Sequence, residues 1–216
     1  MNKNDQTKSK KRITDHGEVF TSEREVNAML NLVQNETERL GSRFLEPACG
    51  TGNFIIEILS RKLQVANDES QNKFEYDKNC FIAISSIYAI DILEDNVLET
   101  KTRIFDFFKD EYLKIYGSLS IEFEKVVKFI INKNIVLGDA LTLQTPNNNP
   151  KPIVFCEWSL IKGYMVKRRD FTLDTILKNA PIDGPNLFSD LGSNVFVPKP
   201  LKEFELFHFM KAWKYD

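Results

Sequence analysis

Five residues of this chain have the types and the spacing to hold a small polar ligand. Gly50 and Gly52 flank Thr51 in the string FLEPACGTGNF, just behind an apolar pair and the carboxylate of Glu46. Glycine reaches positive φ without penalty and lets a ligand come up against the main chain. A helix starting there would add unpaired N–H groups. The dinucleotide pattern G-x-G-x-x-G is incomplete, because Asn53, Phe54 and Ile55 follow Gly52. A carboxylate at Glu46, four residues ahead of Gly50, repels a pyrophosphate but accepts hydrogen bonds from an ammonium group. Asp91, ending SSIYAID, suits two ribose hydroxyls, and Asp139, in NIVLGDAL, suits an adenine amino group.

These side chains work together only if the fold brings them to one edge. In TSEREVNAMLNLV, Val26, Met29, Leu30 and Val33 fall at helical spacing, and Ser22 with Glu25 makes a capping box, so a helix starts near Ser22. Arg43 to Glu46 reads as a strand end, and NFIIEILSRKL as a helix burying Phe54, Ile55, Ile58, Leu59 and Leu63. Residues 66 to 80 are polar and read as a surface connection. SSIYAID is a second strand, and a long helix over EDNVLETKTRIFDFFKDEYLKIY carries Val97, Ile104, Phe108 and Ile115 on one side. Phe123, Val126, Val127 and Ile130 mark a further short helix, read as a local elaboration.

NIVLGDAL is a third strand, and beyond TPNNNPKP comes a fourth, IVFCEW. FTLDTILKNA reads as a short helix, PIDGPNLFSDLGSNVFVPKP as a Gly/Pro-rich loop, and LKEFELFHFMKAW as a last amphipathic helix. Strands alternating with helices argue a parallel α/β sheet of the doubly wound kind, whose ligands bind outside the carboxyl ends of the strands. Glu46, Gly50, Gly52, Asp91 and Asp139 all map to that edge. Residues 1–12 read as a disordered basic tail and 13–216 as a single domain, regular over 16–160 and irregular over 161–216.

Composition narrows the classes. With 216 residues, 42% of them hydrophobic, one core is the expectation. No apolar run is long enough for a membrane helix and the N-terminus is Lys-rich without an apolar centre, so the expected location is cytoplasmic. Cys49, Cys80 and Cys156 are too few and too widely spaced for a zinc site or a disulfide framework, so no metal is expected. A net charge of −2 leaves any nucleic-acid contact to local clusters such as Lys167, Arg168 and Arg169.

A cationic amino acid joined to ribose and adenine describes S-adenosylmethionine. The strings HGEVFTS, FLEPACGTGNF, SSIYAID and IVLGDAL resemble, in this order, motifs X, I, II and III of the S-adenosylmethionine-dependent adenine-N6 DNA methyltransferases of restriction-modification systems. The resemblance covers about residues 16 to 141. It implies a Rossmann-like class I methyltransferase fold, a mostly parallel sheet flanked by helices, with S-adenosyl-L-methionine as cofactor and DNA as partner. Thr21 resembles the motif X hydroxyl at the cofactor's methionine end, and Gly50 and Gly52 the turn around it. Glu46 matches the motif I acid, Asp91 the ribose ligand and Asp139 the acceptor for the adenine amine. Pro47, Ala48, Asn53, Phe54, Ile92 and Ala140 take the neighbouring places at the cofactor's rim. Each has a plainer reading beside it: Thr21 and Ser22 as helix caps, Asp91 as a cap near Glu94, Asp139 as a turn residue, Phe54 as core.

The pattern departs from the family where the acceptor base should be held. Members that methylate an exocyclic amine carry Asn/Asp/Ser-Pro-Pro-aromatic at the tip of the fourth strand, to orient the amine and stack on the flipped base. Here IVFCEWSL puts Glu157 and Trp158 there. Glu157 accepting from the amine and Trp158 stacking would give an altered working site, with Lys167, Arg168 and Arg169 beside the DNA phosphates. The alternative is a cofactor-binding or assembly subunit whose partner supplies catalysis and target recognition, since few residues follow Trp158. A third alternative is a methyltransferase acting on RNA, protein or a small molecule.

Overall fold

The Ser22–Glu25 pair opens the first helix as its spacing requires. In α1 (Glu23–Asn31) the Ser22 hydroxyl accepts the Glu25 N–H, and the Glu25 carboxylate accepts the Ser22 N–H. Val26 and Leu30 are buried, whereas Met29 and Val33 of the same stripe are exposed. This computed structural model describes Arg12, Thr14, Val19 and residues 21–178 and 199–216. Most of the expected N-terminal tail, the first part of HGEVFTS and nearly all of the Gly/Pro-rich loop lie outside the described residues. Arg12, assigned above to the tail, has a defined place: it pairs with Asp95 at 2.5 Å and reaches Asn96 at 3.3 Å.

A one-turn α2 (Gln34–Thr37) leads to β1 (Phe44–Glu46). The connection is tied by Lys62 of α3 (Asn53–Asp68), whose buried ammonium donates to the carbonyls of Arg39, Leu40 and Ser42 at 2.7–3.0 Å. Three carbonyl acceptors satisfy the three donors of an ammonium group, which is how a lysine is held inside.

Residues 66–80 are not a surface connection. α3 runs on to Asp68, and after a short turn α4 (Lys73–Ser85) begins, capped by Asn72 on Glu75 at 3.0 Å. Its polar residues hide a buried face of Tyr76, Cys80, Phe81 and Ile84. α4 enters β2 (Ile87–Asp91), then come α5 (Glu94–Tyr116) and α6 (Ile121–Asn134), which runs directly into β3 (Ile135–Leu137). Far from being a local elaboration, α6 buries Phe123, Val126, Val127, Ile130 and Ile131 in the main core.

β1, β2 and β3 form a three-stranded parallel sheet with β2 in the middle, Phe44 facing Ile87 and Ala89 facing Ile135. Ile87 and Ala89 join the core formed with the helices, while Tyr88 and Ile90 on the other face pack with Ile153, Phe155 and Leu173. The molecule is thus a mixed α/β protein with a parallel sheet flanked by helices.

The fourth strand does not join that sheet. β4 (Val154–Ile161) turns back at Lys162–Tyr164 into β5 (Met165–Thr172), an antiparallel hairpin in which Trp158 faces Arg168. Lys162 and Gly163 both take positive φ, 51° and 82°, at that turn. α7 (Leu173–Lys178) follows. The stretch expected as a last helix instead forms two short strands, β6 (Lys202–Glu203) and β7 (Phe207–His208), both against β5, and a 3₁₀ segment Phe209–Lys214. Its aromatic residues serve two elements: Phe204 and Phe207 pack beside the hairpin and Phe209 packs on Phe123. Among the described residues no helix is long and apolar enough to cross a membrane.

Candidate functional site

Parallel pairing carries Glu46, Asp91 and Asp139 to the same side of the sheet. Glu46 ends β1, Asp91 ends β2, and Asp139 lies two residues past β3, where Gly138 N–H donates to Asp91 C=O at 2.9 Å. Neighbouring strands stand about 4.8 Å apart. Three carboxylates therefore follow one another along the carboxyl edge.

The glycine turn closes over this edge. Gly50 and Gly52 have φ of 52° and 88°, the left-handed values expected for them. The Gly50 N–H donates to Asp91 Oδ2 at 2.7 Å, and Cys49 N–H to Ile90 C=O at 2.9 Å, fastening the turn to β2. At Gly52 the space is taken by the protein itself: an added Cβ would lie 2.9 Å from Thr100 Cγ2. The close approach that calls for glycine here is to α5. Gly52 is the N-cap of α3 and supplies no side-chain cap, so no cap side chain accepts the first-turn N–H groups of that helix.

Asp91 is buried and its other oxygen, Oδ1, accepts Leu93 N–H at 2.9 Å and Asn96 Nδ2 at 3.3 Å. It ties the glycine turn to the segment that enters α5, and a carboxylate still has lone pairs for a further donor. Glu46 is half-buried and accepts Ala48 N–H at 3.2 Å. Burial, and then the nearby Asp91 charge, raise its pKa above the usual carboxylate value, against the lowering effect of the Ala48 bond. Asp139 Oδ1 accepts Leu141 N–H at 2.9 Å and Thr142 N–H at 3.4 Å, bonds that lower its pKa. The turn-residue reading of Asp139 is met in this geometry. Ile92, next to Asp91, is 45% exposed at the same edge, and Ala140 and Phe54 are half-buried. Pro47 and Ala48 are exposed in the turn itself.

Thr21 is joined to the turn through its main chain: Asn53 Nδ2 donates to Thr21 C=O at 3.0 Å. The sequence reading missed what braces this assembly from α5. Thr100 Oγ1 donates to Gly50 C=O at 2.9 Å, and Arg103 Nη1 donates to Thr51 C=O and, at 3.1 Å, to Asn53 Oδ1. Asn96, Thr100 and Arg103 lie four and three residues apart, on one stripe of α5. Polar residues recurring at that spacing beside the apolar Val97 and Ile104 were the available signal.

Glu157 and Trp158 are not at this edge. Trp158 is buried in the middle of β4, its Nε1 donating at 3.1 Å to Asn134, whose own amide caps Ser85 and Ile87 at the amino end of β2. Glu157 is held between Arg43, at the amino end of β1, and Arg169, at 2.8 and 2.6 Å. The placement at the tip of a fourth parallel strand is therefore corrected: a hairpin alternates its side chains between a core face and an ion-paired face. Lys167, Arg168 and Arg169 do not form an open basic patch either. Lys167 pairs with Glu203, Arg169 with Glu157, and buried Arg168 makes two 2.8 Å bonds to Asp170.

Among the described residues no group of three His, Cys, Asp or Glu is arranged to hold a metal. Buried Cys49 has its thiol pKa pushed up to about 12 by burial and by Asp91, which disfavours its thiolate. The chain is a mixed α/β protein whose parallel sheet carries acidic residues at its carboxyl edge. No family model matches the chain, and the curated proteins and solved structures contain no match to it.

Proposed function

We propose that this chain binds S-adenosyl-L-methionine in a Rossmann-like class I methyltransferase fold, as the cofactor-binding part of a DNA methyltransferase of restriction-modification or phage type. The carrying observation is that Glu46, Asp91 and Asp139 lie at or just past the carboxyl ends of three adjacent strands, with the Gly50–Gly52 turn fastened to Asp91. The residues fit the group. An acidic edge with one carboxylate of raised pKa favours a ligand that brings a positive charge, and that charge would relieve the repulsion between Glu46 and Asp91. The uncapped start of α3 favours a carboxylate on the same ligand. A pyrophosphate meets Glu46 instead. When bound, the cofactor supplies an electrophilic methyl group. The chain's own contribution is to hold the two charged ends and the ribose in one orientation.

Of the two forms of this reading, the one with a partner has the better support. Glu157 and Trp158 are engaged in ion pairs and in the core at the opposite end of the sheet, so neither is free to hold an acceptor amine. The partner is then a chain that supplies the amine-accepting group, the base-stacking aromatic and DNA recognition, with adenine N6 as the methylated atom. Calorimetry on the full chain tests the reading. S-adenosylmethionine and S-adenosylhomocysteine should both give binding heat and NAD none. Folded protein without heat from either sulfur compound at high micromolar concentration overturns the proposal. Labelled methyl transfer to mixed DNA by the chain alone would overturn the partner form of it.

A further inference from the structure

We propose that Arg103 is a positioning residue for the ligand turn, and that it acts on both sides of the site through Asn53. The inference rests on the reading of this edge as a cofactor site and adds a residue outside the motif strings. Asn53 is the first residue of α3, directly after the left-handed Gly52. Its amide has one acceptor and one donor end, and the two face different elements. Oδ1 takes a hydrogen from Arg103 Nη1 of α5 at 3.1 Å, and Nδ2 gives one to Thr21 C=O at 3.0 Å. A flipped amide would set an NH2 against a guanidinium and an oxygen against a carbonyl, so this arrangement has only one workable orientation.

Arg103 Nη1 also donates to Thr51 C=O, the residue between the two glycines. A single guanidinium nitrogen thus fixes the middle of the turn and the start of α3 and, through Asn53, the segment that brings Thr21 to the site. Thr100, one turn earlier on α5, takes the remaining carbonyl at Gly50. The turn is otherwise vulnerable: it contains two residues at positive φ, whose flexibility in the unligated chain costs binding free energy unless another element holds them. Arg103 is half-buried, on the helix that also carries Asn96, which donates to Asp91. Its effect on a ligand is preorganisation.

The test compares R103M and R103K in the full chain, with S-adenosylhomocysteine calorimetry and hydrogen exchange of peptides covering residues 21–27 and 49–56. Met keeps the aliphatic stem and loses both hydrogen bonds. Lys offers one ammonium nitrogen to the same two acceptors. R103M should weaken S-adenosylhomocysteine about tenfold, the effect of losing one charge-assisted bond's worth of order, and should speed exchange in both peptides with little change in the melting midpoint. R103K, which keeps a charged donor without the planar fork, should fall between R103M and wild type in both readings. Wild-type affinity and exchange in R103M would overturn the proposal. So would an equal loss of affinity in R103M and R103K with exchange unchanged in both, which would make the guanidinium a direct ligand contact. If the wild type binds neither sulfur compound, the cofactor reading fails, while the exchange comparison still decides whether Arg103 orders the turn.

Discussion

The Asp91 carboxylate accepts the Gly50 N–H at 2.7 Å, so the end of β2 is fastened to the turn that leaves β1. This bond couples a candidate ribose ligand to the shape of the turn. Replacing Asp91 therefore acts twice. In D91A the Gly50 and Leu93 N–H groups lose their buried acceptor, which costs about 1–3 kcal/mol for each group left without a partner. Chemical denaturation should show that loss, and calorimetry should show ligand affinity falling further than in D91N, which keeps an acceptor oxygen. Equal affinity in the two variants would mean that the turn is held without Asp91.

Gly52→Val tests why the second glycine is there. At φ 88° with Thr100 Cγ2 2.9 Å from the added Cβ, the variant combines backbone strain with a clash. A loss of roughly 2–4 kcal/mol in denaturant unfolding is expected. The double variant G52V/T100S should recover part of that loss, because it removes the Cγ2 nearest the added Cβ and keeps the Oγ1 that donates to Gly50 C=O, relieving the closest contact but not the strain. No recovery would place the obstruction elsewhere.

Glu46 should give ligand binding a characteristic pH dependence. Its folded-state pKa is raised, so protonated Glu46 favours the folded state. That contribution to stability is complete below the unfolded pKa and is lost as pH rises through the folded one. Binding of a cationic group runs the other way: it needs the carboxylate and weakens as pH falls through the raised value. Calorimetry from pH 7 to pH 4.5 should show this decline in wild type and a flatter profile in E46Q. Identical profiles would remove Glu46 from the ligand's contacts.

Trp158 and Glu157 should behave as structural residues. W158A removes a buried ring that meets Phe81 and Phe129 edge-on and leaves Asn134 Oδ1 without its donor, so about 3–5 kcal/mol of stability should be lost. E157Q touches pairs with partly exposed arginines, and on the order of 1 kcal/mol or less is expected. S-adenosylhomocysteine affinity of folded E157Q should equal that of wild type. A selective fall in affinity would bring Glu157 back to the site.

The sequence by itself determined the parts that are set by near neighbours. Ser22 and Glu25 interact across one helical turn, Gly50 and Gly52 take positive φ because their own backbone permits it, and FLE, IYAID and IVL become strands through short apolar runs. Parallel pairing of those strands then put Glu46, Asp91 and Asp139 at one edge, as the alternation of elements required. Where a residue's role depends on a distant partner, only the tertiary structure decided it. α4 was hidden because Tyr76, Cys80, Phe81 and Ile84 show as a stripe only when something packs on them, among polar neighbours that mask the period. The string IVFCEW suits a parallel or an antiparallel strand equally well, and the choice was made by the tight turn at Gly163 and by Asn134, 24 residues from Trp158, which accepts its indole N–H in the core. Charge in the run Lys167-Arg168-Arg169 says nothing of Glu203, Asp170 and Glu157, which consume it. The clamp of Thr100 and Arg103 on the glycine turn spans some 50 residues of chain, a distance over which composition and periodicity carry no information about contact.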